Sequence, residues 1–241
     1  MRTINIMNYH VFINNLDTLD LTKRQVINTI NPHSYVTAKD DKLFFDALQD
    51  SDLLIPDGSG IVMAAKFINK QIIKKIAGAD LHQFLLENMN KISGKVFYMG
   101  ASQKTLDKIN EKIKIEYPNI IVESYSPPFK AEFLEKENQV IIDKINDFNP
   151  HVLFIGMTAP KQEKWLHTHK AKLNFTISSS IGAVFDFYAG TVERPSEFWV
   201  DMHLEWLPRL LKEPKRLWRR NLVSTPLFLL DMLLFKFNIK K

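Results

Sequence analysis

The sequence predicts an α/β fold: a mostly parallel sheet with helices on both faces, followed by a helical appendage at the C-terminus. Three observations carry this. Short β-rich runs alternate with amphipathic stretches from residue 2 to about residue 190, the rhythm of βα units. Turns bearing Gly or Pro (Pro56-Asp57-Gly58, Gly100, Gly156) close several of the strand-like runs. Beyond Gly190 the rhythm stops, and Pro195, Pro208, Pro214 and Pro226 interrupt helical segments that carry Trp199, Trp206 and Trp218. The boundary divides a catalytic-sized α/β domain, residues 1–194, from an appendage of residues 195–241.

Taken in order, Arg2–Asn8 reads as a strand. Thr18–Thr29 reads as a helix, with Leu19, Val26, Ile27 and the following Ile30 apolar, and His33–Thr37 as a strand. Asp41–Gln49 is helical and Asp52–Ile55 a short buried strand. Helices follow over Gly58–Ile68 and Asp80–Lys91, then the strand Lys95–Met99 and the helix Ser102–Glu116. The strand Ile120–Glu123, helix Glu132–Phe148, strand His151–Ile155, helix Pro160–Leu173 and strand Phe175–Ser178 complete the alternation.

Composition bounds the chemistry. The chain has 241 residues, 45% hydrophobic and 24% charged, as expected of a folded globular protein. It contains no cysteine, which removes disulfides and thiolate metal sites. The N-terminal residues show no apolar signal-peptide core, and no run approaches the ~20 apolar residues of a membrane span. Charge is uneven: the formal +5 belongs to residues 205–241, which hold nine Lys or Arg against Glu205, Glu213 and Asp231. That basic cluster precedes a Leu- and Phe-rich segment, Leu222–Phe237. The pattern fits the surface of an anionic membrane. It fits equally a solvated basic face beside a core helix.

In parallel sheets, sites form at the carboxyl ends of strands. Asp57 stands at such a turn, where a carboxylate serves either as a general base or as a helix N-cap. Thr37 is placed at the end of a strand. Gly156 to Glu163 brings Pro160, Lys161 and Gln162 to a helix start, suited to phosphate or to an ordinary βα loop. Gly182 to Phe187, containing Asp186, follows the last strand. Asp50-Ser51-Asp52 looks like a metal-binding pair but precedes its strand, at the far edge. His167 and His169 lack the i, i+4 spacing of helical metal ligands.

Thr37, Pro56-Asp57-Gly58, Ala77-Gly78-Ala79-Asp80, Phe97-Tyr98-Met99-Gly100, Pro160-Lys161-Gln162-Glu163, Phe185-Asp186-Phe187 with Gly190, and Leu204-Glu205-Trp206 with Arg209, Pro214 and Arg216 occur in this order. Together they resemble the WecG/TagA/CpsF glycosyltransferase family of bacterial surface-polysaccharide synthesis, from about Asn8 to Arg220. The resemblance implies a Rossmann-like fold and a metal-independent, inverting transfer from a UDP-sugar, without a cofactor. The acceptor it implies is an undecaprenyl-diphosphate-linked N-acetylhexosamine at the inner membrane face. The appendage would close over the site and attach to the anionic membrane; a homo-oligomer is allowed, and nucleic acid is not an expected partner. It implies Asp57 as base, with Thr37, Arg209 and Arg216 also catalytic. Substrate would be held by Gly58, Gly78, Asp80, Gly100, Gly156, Lys161, Gln162, Glu163, Asp186, Arg219 and Arg220. Two positions depart from the family pattern: Lys39 replaces an Asn, and Lys75 replaces an Arg, which bears on the donor sugar. The alternatives are a nicotinamide-dependent oxidoreductase, against which the absent glycine fingerprint speaks, and a non-enzymatic polyanion- or membrane-binding module.

Overall fold

The computed structural model describes residues 2–192 and 214–237, with single positions 199, 207, 210 and 211 between them. The side chains of Lys215 and Arg216 are outside the description, as is Arg209 altogether.

The chain begins with a hairpin, β1 (Thr3–Ile6) and β2 (Tyr9–Phe12), absent as a pair from the sequence reading. Met7 and Asn8 turn it with φ of 50° and 70°, the left-handed pair that suits strand twist. Then come β3 (Gln25–Ile30), α1 (Pro32–Asp40), α2 (Lys42–Gln49), β4 (Leu53–Pro56), α3 (Ser59–Asn69) and α4 (Gly78–Lys91). The second half contains β5 (Lys95–Gly100), α5 (Gln103–Glu116), β6 (Ile121–Tyr125), α6 (Glu135–Phe148), β7 (Val152–Gly156), α7 (Lys161–His169), β8 (Ile177–Ser180) and α8 (Gly182–Tyr188). After the undescribed stretch, α9 (Pro214–Trp218), a π-helical turn (Arg219–Ser224) and α10 (Thr225–Lys236) close the chain.

The eight strands order as β1-β2-β4-β3-β8-β7-β5-β6, all parallel except the β1–β2 hairpin. β4 and β7 are buried throughout, as strands covered on both faces must be. Alternation sorts their side chains. Ile27, Ile55, Tyr98, Phe154 and Ile177 pack in one cluster with Leu81 and Leu85 of α4, Leu106 and Ile109 of α5, and Phe185 of α8. Phe97, Met99, Leu153 and Ile155 point the other way, to Ile141 of α6 and Trp165 of α7. Val11, Ile30 and Leu54 meet Ala38, Phe44, Ile61 and Ala64 there, together with Phe228 and Met232 of α10. Thus the C-terminal helix completes the core over the β2–β4 end.

Two elements differ from the sequence reading. Residues 18–29 are not a helix: Gln25–Ile30 is a central strand, sandwiched between β4 and β8. Conversely, His33–Thr37 lies inside α1 rather than forming a strand. Asn31 caps this helix through its side chain, bonding His33 N–H and Ser34 N–H at 3.0 Å, while Ser34 Oγ accepts from Asn31 N–H at 2.8 Å. With Pro32 at the first turn, this reciprocal cap fixes the helix start. Thr37 therefore sits a full turn into α1, not at a strand end.

From β5 the chain crosses to β6 on one side, and from β7 to β8 on the other. Such a reversal opens a crevice at the carboxyl ends of β5 and β7.

Candidate functional site

Asp57 immediately follows β4, and its N–H donates to Ile30 O at the end of β3 (2.9 Å). Gly58, with φ of 98°, turns the chain into α3, a conformation that favours glycine. Asp57 is half-buried. Next to this turn, Ile76 N–H donates to Pro56 O (3.0 Å), which brings the N-terminus of α4 to the same edge. Lys75 is half-buried one residue earlier. Asp80 bonds Ala77 N–H at 2.8 Å, so its carboxylate caps α4. Gly78 packs on Ile181 and Val184 of the α8 start.

The loops after β7 and β8 are held together by one side chain. Gln162 is 5% exposed, and its Oε1 accepts from Met157 N–H and Gly182 N–H, both at 3.1 Å. Its Nε2 donates to Glu163 Oε1 at 2.8 Å. Glu163 is buried as well, and burial pushes its carboxyl up to about 7. At Gly182 a Cβ would lie 2.2 Å from Met157 O, so the two loops meet closer than a side chain allows. Lys161 turns away: it donates to Lys130 O (2.6 Å) and covers the Phe133 ring at 3.7 Å. Burial, then the neighbouring Lys130, holds its pKa below the ordinary lysine value.

Gly100 and Gly156 pair across β5 and β7, and Ala101 N–H continues the contact to Gly156 O at 2.8 Å. Ser102 then caps α5, accepting from Thr105 N–H. Beside it opens a cleft of about 530 Å³, lined by Ser102, Lys104, Thr105, Lys108, Asp186 and Thr191 among others. Asp186 accepts from Thr191 Oγ1 at 3.3 Å within that wall. A second depression, about 420 Å³ around Arg24, Lys95 and His151, lies at the amino edge of the sheet, remote from these loops.

The tail returns to the same edge as Asp57. His33 Nδ1 lies 2.9 Å from Ser224 Oγ. Burial lowers the His33 pKa, and the charges of Arg220 and Arg219 lower it further. Gly60 shows how close these parts are: a Cβ there would meet Pro32 Cγ at 2.4 Å and the Phe228 ring at 3.5 Å. Lys39, its side chain 45% exposed, is paired with Asp231 of α10, Nζ to Oδ2 2.5 Å.

Of the residues singled out in the sequence, Asp57, Gly58, Lys75, Gly78, Asp80, Gly100, Gly156, Gln162 and Glu163 gather at the carboxyl edge of the sheet, with Asp186 in the adjoining cleft. Arg219 and Arg220 lie in the π-helical turn that Ser224 fastens to α1. Arg209 and the Arg216 side chain lie outside the described residues. His33, Ser224 and Asp231 were not anticipated. Asn31-Pro32-His33-Ser34 has the residue types of a helix cap, a signal that the strand reading of His33–Thr37 missed. Asp50 and Asp52 are occupied at the opposite edge: Asp50 pairs with Lys170 and lies 3.0 Å from His167, and Asp52 accepts from Val26 N–H.

Residues 2–241 match the model of the glycosyl transferase WecG/TagA/CpsF family. A relative from Bacillus spizizenii strain W23 is 32% identical over 92% of this chain and 84% of its own length. One from Bacillus subtilis strain 168 is 32% identical over 86% of this chain and 78% of its own. A third, from Staphylococcus aureus strain MW2, is 27% identical over 91% and 84%. All three are named N-acetylglucosaminyldiphosphoundecaprenol N-acetyl-beta-D-mannosaminyltransferase. Matched by the family model over residues 2–241, the chain belongs to the WecG/TagA/CpsF family of glycosyl transferases.

Proposed function

We propose that this glycosyltransferase moves N-acetylmannosamine from its UDP derivative to N-acetylglucosamine linked through diphosphate to undecaprenol, with inversion at the anomeric carbon. The reaction is that of the named relatives. The observation that carries it to this chain is Asp57, a carboxylate at the carboxyl end of β4 beside the α4 N-terminus and Lys75. Asp57 takes the proton of the acceptor hydroxyl as that oxygen bonds to the anomeric carbon. The bond from that carbon to UDP breaks, and its electron pair leaves on the diphosphate. Arg219, Arg220 and the tail arginines outside the described residues stabilise that charge, aided by helix N-termini. Asp186 and the α5 cleft serve the nucleoside end. Gln162 and Glu163 shape the loops beneath it, and Lys161 lies to the side. Family membership sets aside the oxidoreductase and the non-enzymatic module.

No described helix is long and apolar enough to cross a membrane. The outer side of the tail exposes Trp218 and Leu222, with Leu227, Leu230, Leu233, Phe235 and Phe237 along and just after α10. We assign this face to the inner leaflet of the bacterial membrane, where the lipid-linked acceptor resides. Apolar burial and about 1 kcal/mol per basic residue would hold it there.

A UDP-release assay over a panel of UDP-hexoses and UDP-N-acetylhexosamines, with a GlcNAc-diphospholipid analogue as acceptor, tests the reading. Release that depends on both UDP-N-acetylmannosamine and acceptor supports it. Preference for another donor refutes the sugar assignment.

A further inference from the structure

We propose that Lys39 and Asp231 are positioning residues: their ion pair sets the seat of α10 on α1 and thereby holds Arg219 and Arg220 at the donor diphosphate. The inference rests on the reading above for its ligand, but its geometry is independent of it.

Three contacts define the seat. Phe228 of α10 is fully buried and meets the Tyr35 ring edge-on, centroids 5.3 Å apart. Ser224, at the last position of the π-helical turn, hydrogen-bonds His33 at 2.9 Å. Between Phe228 and the helix end, Asp231 is only 8% exposed and receives Lys39 Nζ at 2.5 Å. The aromatic contact is greasy and tolerates sliding; a buried carboxylate does not. Moving α10 by one residue along α1 rotates Asp231 by about 100° and breaks its contact with Lys39, so the pair favours one register. That register matters because the π-helical turn is continuous with α10. Arg219 and Arg220 stand five and four residues before Ser224, in the same turn that Ser224 fastens to His33 at the α1 N-terminus. Asn31, which caps the same helix, lies within 3.9 Å of where a Gly58 side chain would begin. The pair therefore joins the tail to the Asp57 turn through a single rigid helix. It also accounts for Lys39, which stands where the family pattern has a neutral amide: this chain has spent a cation on its own tail.

The test compares wild type, Lys39→Met, Asp231→Asn and the charge swap Lys39→Asp/Asp231→Lys. Calorimetry measures UDP and uridine binding with stoichiometry, and hydrogen exchange follows amides 225–236. Each single variant is expected to weaken UDP roughly tenfold, the loss of about one charge-assisted phosphate contact. Uridine affinity and the binding stoichiometry should stay unchanged, which damage to the fold would not allow. Exchange across α10 should quicken in both, and the swap should restore UDP to within about threefold of wild type. Equal weakening of UDP and uridine, or unchanged UDP affinity in the single variants, overturns the proposal. Failure of the swap to slow exchange overturns it too. If wild type binds no UDP, the reading of the donor fails, and the exchange data alone decide whether the pair seats the helix.

Discussion

The Gln162 amide donates to Glu163 Oε1 at 2.8 Å, and that bond orients a carbonyl on which the loops after β7 and β8 close. A buried carboxyl beside a buried amide makes the loop junction sensitive to protonation.

Burial raises Glu163 from its ordinary value of 4.5 to about 7, so the folded protein holds this proton more tightly than the unfolded chain. The stability it contributes is complete below the unfolded value and is lost as pH rises through about 7. Glu163→Gln keeps the acceptor and cannot ionise. Its stability relative to wild type should rise from about pH 5 to about pH 8, by an amount on the order of 1–3 kcal/mol. Denaturant melts at several pH values read this directly, and parallel profiles for the two proteins would show that Glu163 is not the titrating group.

Gly182→Ala should damage the same junction. Its new methyl would lie 2.2 Å from Met157 O and 2.6 Å from Gln162 Oε1, neither of which is a loose side-chain end. We expect a loss of about 1–3 kcal/mol in stability, together with weaker UDP binding. A variant with wild-type melting and affinity would mean that the loops part without cost.

Phe228→Ala tests whether α10 belongs to the core. Phe228 is fully buried against Tyr35 and the Gly60 region. Its truncation should cost about 3–5 kcal/mol. A merely tethering segment would tolerate the change, so near-neutral melting would return the helix to the status of an anchor.

Turnover should survive EDTA. Asp50 and Asp52, the pair that most resembles a metal-binding motif, are engaged by Lys170 and Val26 N–H at the amino edge. Activity lost to chelator and regained with Mg²⁺ or Mn²⁺ would place a metal in the reaction.

Much of the fold was legible in the sequence because β4, β5 and β7 are short apolar runs ended by Pro or Gly, and their carboxyl ends carry the candidate residues Asp57, Gly100 and Gly156. The failures have a physical pattern. Val26, Ile27 and Ile30 recur at spacings that a helix also shows, while Gln25, Asn28 and Thr29 interrupt the strand. Gln25 and Asn28 are buried yet satisfied, through Asp20 O and Ser51 Oγ, so a central strand carries polar residues that periodicity reads as an outer face. α1 looked extended because Tyr35, Val36 and Thr37 favour strands; its reciprocal cap at Asn31 and Ser34 outweighed them. The turn at Asp57 and Gly58 was readable from local chemistry. His33 with Ser224, and Lys39 with Asp231, are separated by 191 and 192 residues, and no local signal joins them.

The most direct measurement is turnover of Asp57→Asn with UDP-N-acetylmannosamine and a water-soluble GlcNAc-diphosphate acceptor, alongside its affinity for UDP. The amide retains an oxygen for any local hydrogen bond but cannot take the acceptor's proton. Turnover should fall about 10²–10⁴-fold, roughly 3–5 kcal/mol of barrier, with UDP binding and melting preserved. Turnover close to wild type in a variant that still binds UDP would remove Asp57 from the chemistry and contradict the account.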